Sequence, residues 1–141
     1  MRFMILVKGN PDTEAGVRPT EELFHEMAAY HEELQRAGVL LEASGLQPSS
    51  KGWRIKYSGG KRRVVDGPFT EAKELVAGYT VIQVRSREEA MEWTRRFPNP
   101  MLGGQDAEIE VRQLYELEDF GPGEGVDRFR KLEQERQGAT P

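Results

Sequence analysis

Residues 2–8, Arg-Phe-Met-Ile-Leu-Val-Lys, constrain the fold more than any other segment because they are apolar on both faces of a strand. Phe3, Ile5 and Val7 fall on one face, Met4 and Leu6 on the other. A strand of this kind is central in its sheet, or covered on each side. The seven residues are also too short for a signal-peptide apolar region, and no small-residue cleavage site follows. Nowhere does an apolar run approach the roughly 18 residues of a spanning helix, so no membrane association is expected. With no targeting segment, the cytoplasm is the expected compartment.

The following segments alternate between two periodicities. Residues 9–19, rich in Gly, Asn, Pro and Asp, read as a loop. Thr20 then caps a helix with Glu21 and Glu22 in its first turn, and Leu23, Met27, Tyr30 and Leu34 form its apolar stripe up to a stop at Gly38. Residues 39–46 form a second strand. Trp53-Arg54-Ile55-Lys56-Tyr57 alternates aromatic or aliphatic with cationic residues, and Gly59-Gly60 turns it back into residues 61–65. Asp66-Gly67-Pro68-Phe69 is a turn, residues 70–74 are either a helical turn or an extended lead-in, and residues 75–85 form a long strand. Ser86 and Glu89 make a capping box for a helix carrying Ala90, Trp93, Thr94 and Phe97, ended by Pro98 and Pro100. Residues 108–115 are the last strand.

With the hairpin set aside, the order is strand–helix–strand–strand–helix–strand. This is an α+β chain of the ferredoxin-like, split βαβ kind: an antiparallel sheet, two helices and an inserted hairpin. Two helices on one face leave the other open, and Met4, Leu6 and alternate residues of the long strand make that face apolar. A second copy of the chain, sheet on sheet, covers it most simply, so a homodimer is expected. Residues 1–120 form the domain and 121–141 a C-terminal extension, in which Asp127 caps a short helix bearing Val126, Phe129 and Leu132.

The 141 residues include no cysteine, which excludes disulfides, thiolate metal sites and Cys nucleophiles. The net charge is −4, and the densest basic cluster, Lys61-Arg62-Arg63, adjoins a hairpin turn, so direct nucleic-acid binding is not expected. There is no phosphate-binding loop, no His/Asp cluster at metal spacing and no nucleophile elbow. No metal and no cofactor are expected.

Gly45-Leu46-Gln47-Pro48-Ser49-Ser50, Asp66-Gly67-Pro68-Phe69-Thr70-Glu71-Ala72-Lys73-Glu74 and Glu108-Ile109-Glu110-Val111-Arg112, together with Val39-Leu40-Leu41, resemble the YCII-related superfamily, and within it the DGPF branch. The resemblance spans about residues 1–120. It implies a dimeric α/β-barrel protein, and relatives with a His–Asp pair in a cleft. The wider superfamily includes cofactor-free monooxygenases and muconolactone-type isomerases. Genes of the branch often accompany alternative sigma factors, which implies a regulatory, non-catalytic alternative with a sigma-factor association.

Asp66 is the first candidate site residue. Ahead of Gly-Pro, its carboxylate accepts from the amides of its own turn, which explains the motif structurally. It is also placed for a general base, or for orienting a histidine, at a strand end. The two readings are compatible. At about 100° per residue, His25 points away from the apolar stripe, whereas His31 sits on its border and is the candidate partner of Asp66. Ser44, Gln47 and Lys73 are candidate ligand-binding residues, Lys73 for a carboxylate or, alternatively, in a surface pair with Glu71 or Glu74. The expected function is small-molecule binding, with cofactor-independent acid–base chemistry at Asp66 as its catalytic form. Whether the protein is an enzyme stays open at this point.

Overall fold

The computed structural model describes residues 1–138. Its core is a four-stranded antiparallel sheet built from β1 (Arg2–Lys8), β2 (Leu40–Gly45), β5 (Val76–Gln83) and β6 (Ile109–Gln113), in the order β2-β5-β1-β6. The two-faced segment is indeed central, with β5 on one side and β6 on the other. β3 (Trp53–Ser58) and β4 (Lys61–Asp66) pair only with each other, as a separate hairpin. Gly59 and Gly60 both have positive φ at its tip, the backbone such a two-residue turn requires.

Among the described residues four α-helices accompany the strands. α2 (Glu21–Arg36) starts where the Thr20 side chain accepts from the Leu23 amide, and α3 (Arg87–Arg95) where Ser86 accepts from the Glu89 amide. The Glu89 carboxylate reaches back to the Arg85 amide (3.1 Å), one residue ahead of the cap. The expected loop at 9–19 contains a four-residue helix, α1 (Pro11–Glu14). Asn10 and Thr13 cap it reciprocally, and Pro11 needs no partner for its nitrogen at the first helical position. Ala72–Glu74 is a 3-10 turn, so the strand begins only at Val76.

One face of the sheet carries the helices. Phe3, Ile5, Ile82 and Val84 pack with Tyr30, Leu34, Val39 and Ala90, and Trp93 and Phe97 close the cluster. Within it the Tyr30 ring meets Phe97 edge-on at 5.2 Å and its hydroxyl donates to the Trp93 carbonyl (2.7 Å). Burial pushes the Tyr30 phenol up to about 12 from an ordinary value of 10. A raised acid stabilises the fold fully below pH 10, and that contribution fades as pH climbs toward 12 and the unfolded phenol ionises. Tyr30→Phe loses the hydrogen bond and is expected to be about 1 kcal/mol less stable at neutral pH. By pH 12 the wild type should have lost roughly 2 kcal/mol more than the variant, reversing their order. Denaturant melts of both proteins at pH 7, 10 and 12 read this difference.

The opposite face is less uniformly apolar than expected. Met4, Leu6 and Val81 form a stripe there, but the register sets Arg112 and Glu110 beside Met4 and Leu6, and Glu42 beside Val81. The Tyr79 hydroxyl donates to Glu42 (2.9 Å). Just after β6 the chain returns to the start of β1: Arg2 holds Glu116 with both Nε (2.9 Å) and a terminal nitrogen (3.2 Å). α4 (Glu124–Gly138) follows, and its Glu133, Arg136 and Gln137 border a groove with Arg2, Leu41 and Gln83. Asp127 therefore lies inside the first turn of a long helix and does not cap a short one. The last three residues of the extension lie outside the described residues.

Candidate functional site

Two opposed glycines hollow out the sheet. Gly45 of β2 and Gly78 of β5 face each other in register, next to Val7 of β1, and neither supplies a side chain. A Cβ on Gly45 would meet nothing within 4 Å, whereas one on Gly78 would come within 3.1 Å of the Ser44 carbonyl oxygen. The gap between this floor and α2 is a cleft of about 420 Å³, within the usual range for small-ligand sites. Leu23, Phe24, Met27 and Ala28 of α2 form one wall, Phe97, Pro100 and Met101 another, and Ala43 and Thr80 complete the floor. Among the described residues no Lys, Arg, Asp or Glu lines it.

Its polar centre is His31 with Thr80. His31 Nδ1 lies 2.7 Å from the Met27 carbonyl oxygen, one helical turn back, and Nε2 lies 2.9 Å from Thr80 Oγ1. A carbonyl only accepts, so in the neutral ring Nδ1 carries the proton and Nε2 accepts from the Thr80 hydroxyl. Thr80 is buried and His31 half-buried. Tyr30 and Phe97 stand edge-on to the imidazole at 5.6 and 6.2 Å, which fixes its plane. The arrangement places one imidazole lone pair, shared with one hydroxyl, on the floor of an uncharged apolar cleft.

The residues singled out from the sequence do not all converge on it. His31 and Ser44 line the cleft, although the Ser44 hydroxyl donates to the Gly45 carbonyl (3.0 Å). Asp66 does not line it: the residue is exposed at the end of β4, opposite Trp53 on the hairpin. Both ring nitrogens of His31 are taken up by Met27 and Thr80, so the structure forms no His31–Asp66 pair. Gln47 is exposed beyond β2 and borders a small recess with Gly9 and Glu14. Lys73 is exposed on the 3-10 turn, away from the cleft lining. His25 is solvated beside Glu21 (3.3 Å).

The turn at residues 66–69 is held differently from the expected Asx turn. The Gly67 amide donates to the Gly52 carbonyl (3.0 Å) and the Phe69 amide to Ser49 Oγ (3.0 Å). Ser49 in turn donates its amide (3.1 Å) and its hydroxyl to the Glu14 carboxylate. Arg54 lies 3.7 Å over the Phe69 ring. The Gly67–Pro68 peptide is cis.

Sequence reasoning passed over Thr80, reading it as one alternating residue of a long strand. A threonine at a core-facing strand position is the signal, since its hydroxyl needs a partner, and His31 on the stripe border, assigned instead to Asp66, was the polar group within reach. Among the described residues no group of His, Asp and Glu is placed to hold a metal ion, and no helix is long and apolar enough to cross a membrane.

Comparison with known proteins places these features in a family. An uncharacterised protein of Rhizobium meliloti is 29% identical over 104 residues, covering 74% of this chain and 80% of that protein. A solved structure of 5-chloro-2-hydroxyhydroquinone dehydrochlorinase from Burkholderia phenoliruptrix, in complex with 2,5-dihydroxybenzoquinone, is similar at 15% identity and a TM-score of 0.41, over 82% of this chain and 94% of that one. The YCII-related domain matches residues 1–117, most of the chain, and the protein therefore belongs to the YCII-related family.

Proposed function

We propose that the protein binds a small uncharged, largely apolar molecule in the cleft between α2 and the sheet, with one hydroxyl or carbonyl of the ligand set against His31 and Thr80. The observation that carries this reading is a hollow of ligand size with the His31–Thr80 pair on its floor and, among the described residues, no charged side chain in its lining. A ligand hydroxyl beside Thr80 donates to its free lone pair, or displaces it and donates to Nε2. In the second case the neutral imidazole takes up the proton as a general base. This moves any acid–base chemistry from Asp66 to His31. Lys73 and Gln47 take no part in it, and Ser44 contributes the cleft's rim.

We assign the chain to the DGPF branch on its Asp-Gly-Pro-Phe turn, and read the sheet order as ferredoxin-like in a homodimeric protein. No feature of the described residues favours the sigma-factor alternative over ligand binding.

Gly45→Val separates binding from folding, because its side chain would project into empty space within the cleft. In a screen of substituted phenols and cyclic ketones by NMR, ligands are expected to shift the His31 ring protons in the wild type. Gly45→Val should abolish these shifts while leaving the melting midpoint within a few degrees. Thr80→Val should weaken binding about tenfold, the worth of one hydrogen bond. Ligands that bind Gly45→Val as well as wild type would exclude the cleft as the site.

A further inference from the structure

We propose that the cleft selects its ligand by hydrogen-bond direction. With His31 neutral it takes a molecule that donates, through a hydroxyl or an N–H, in preference to one that only accepts, and protonation of the imidazole reverses that preference. The inference rests on the cleft reading given above and specifies the chemical class of its ligand.

Among the described residues five polar side chains line the cleft: Thr13, His31, Ser44, Tyr79 and Thr80. Each has already given its hydrogen to the protein. Thr13 donates to the Asn10 carbonyl (2.9 Å), Ser44 to the Gly45 carbonyl (3.0 Å) and Tyr79 to the Glu42 carboxylate (2.9 Å). His31 Nδ1 gives its proton to the Met27 carbonyl, and the Thr80 hydroxyl gives its own to Nε2. The backbone amides of the floor lie in the plane of the sheet and do not point up toward α2.

What remains for a ligand is lone pairs, above all on Thr80 Oγ1, which among the described residues bonds to His31 alone. A hydroxyl hydrogen is matched by such an oxygen. A carbonyl or ether set against it leaves two oxygens dry and unpaired, and a site arranged to pair a hydroxyl rejects the analogue that lacks one for this reason.

Protonation of His31 turns the chain of bonds around. Nδ1 still donates to Met27, but Nε2 now carries a proton and gives it to Thr80 Oγ1. The Thr80 hydrogen is released to the cleft, so the same pair donates to a carbonyl or an anionic oxygen. The other titratable groups around the ring stay outside the imidazole range. On α2, Tyr30 stands edge-on at 5.6 Å, and burial pushes its phenol up to about 12. On β5, the Tyr79 phenol is raised chiefly by its hydrogen bond to Glu42, a carboxylate outside the cleft lining. Beyond the end of α3 it is Phe97 that meets the imidazole, while Arg96 and Glu33 pair with each other at 3.6 Å outside the lining.

Naphthol, its methyl ether and the cyclic ketone tetralone share a ring system and differ in what they offer. Calorimetric titration at about pH 8 is expected to find naphthol about tenfold tighter than either of the others. Lowering the pH toward about 5, across the imidazole range, should bring tetralone level with naphthol or above it. His31→Phe deprives the Thr80 hydroxyl of its acceptor, and should give the same result at about pH 8 with no further change on acidification. The pH series on the wild type stands on its own if that variant folds poorly. Tetralone or the ether binding as tightly as naphthol at about pH 8, a ratio that acidification leaves unchanged, or His31→Phe still preferring naphthol tenfold overturns the proposal and leaves the cleft as the site. Equal affinity of wild type and Gly45→Val, or no binding of any of the three probes, removes the cleft reading itself and this inference with it.

Discussion

Gly67→Ala is expected to cost about 3 kcal/mol of folding stability, near the upper end of overpacking effects. A Cβ at this position would sit 1.9 Å from the Ser49 carbonyl oxygen and 2.7 Å from its carbonyl carbon. Both atoms belong to backbone, so no rotamer change relieves the clash. The segments must part, and with them go the Gly67–Gly52 and Phe69–Ser49 hydrogen bonds. Gly125→Ala, on α4 where a Cβ meets nothing, is the control. It is expected to be neutral or stabilising by roughly 0.5–1 kcal/mol. Urea denaturation of the two variants beside the wild type gives the comparison. Equal stabilities for Gly67→Ala and wild type would mean that the turn is not seated on Ser49.

Ile82→Ala is expected to lose about 2–5 kcal/mol, the range for emptying a fully buried aliphatic site. Ile82 has no exposed surface and lies in register with Phe3 on one side and Leu40 on the other, at the centre of the packed sheet face. Ile82→Val removes one methylene and should cost only about 0.5–1.5 kcal/mol. A ratio of this size between the two variants, read from denaturation midpoints at unchanged slope, identifies a rigid core. Near-equal losses would point to a site that collapses around the cavity.

What was legible in the sequence divides along the range of the interactions involved. Thr20, Ser86 and the Gly59-Gly60 turn act on their immediate neighbours, and the elements they start or reverse were read correctly. α1 was missed because Asn10, Pro11 and Asp12 are loop formers by composition. Only the reciprocal bonds of Asn10 and Thr13 turn them into a helix. The start of α4 was misplaced for a related reason: Asp127 is a good cap in isolation, yet the chain is already helical from Glu124.

The site was harder to read. The helical-wheel argument set His31 at the stripe border and His25 in solvent, and the structure has them half-buried and exposed respectively, since that argument needs only the rotation per residue. Its partner Thr80 is 49 positions away and is delivered by the register of β5 against β1 and β2. Asp66 looked like the better partner because its turn follows a strand. The strand it follows is on the hairpin and not in the main sheet, and the carboxylate there does not reach the cleft lining. The paired glycines that open the cleft were visible as letters, but their opposition is a property of pairing alone.

The relay from Glu14 through Ser49 to the Phe69 amide joins three segments distant in sequence at the root of the hairpin. Beyond that root the two strands bond only to each other. The hairpin is therefore a cantilever: clamped at one end, free along its span, with its bearing set by a carboxylate on another element. Changes at the clamp swing the whole beam, whereas changes at the Gly59-Gly60 tip alter only its length. Evolution, or a protein engineer, has there two separate controls, one for direction and one for reach.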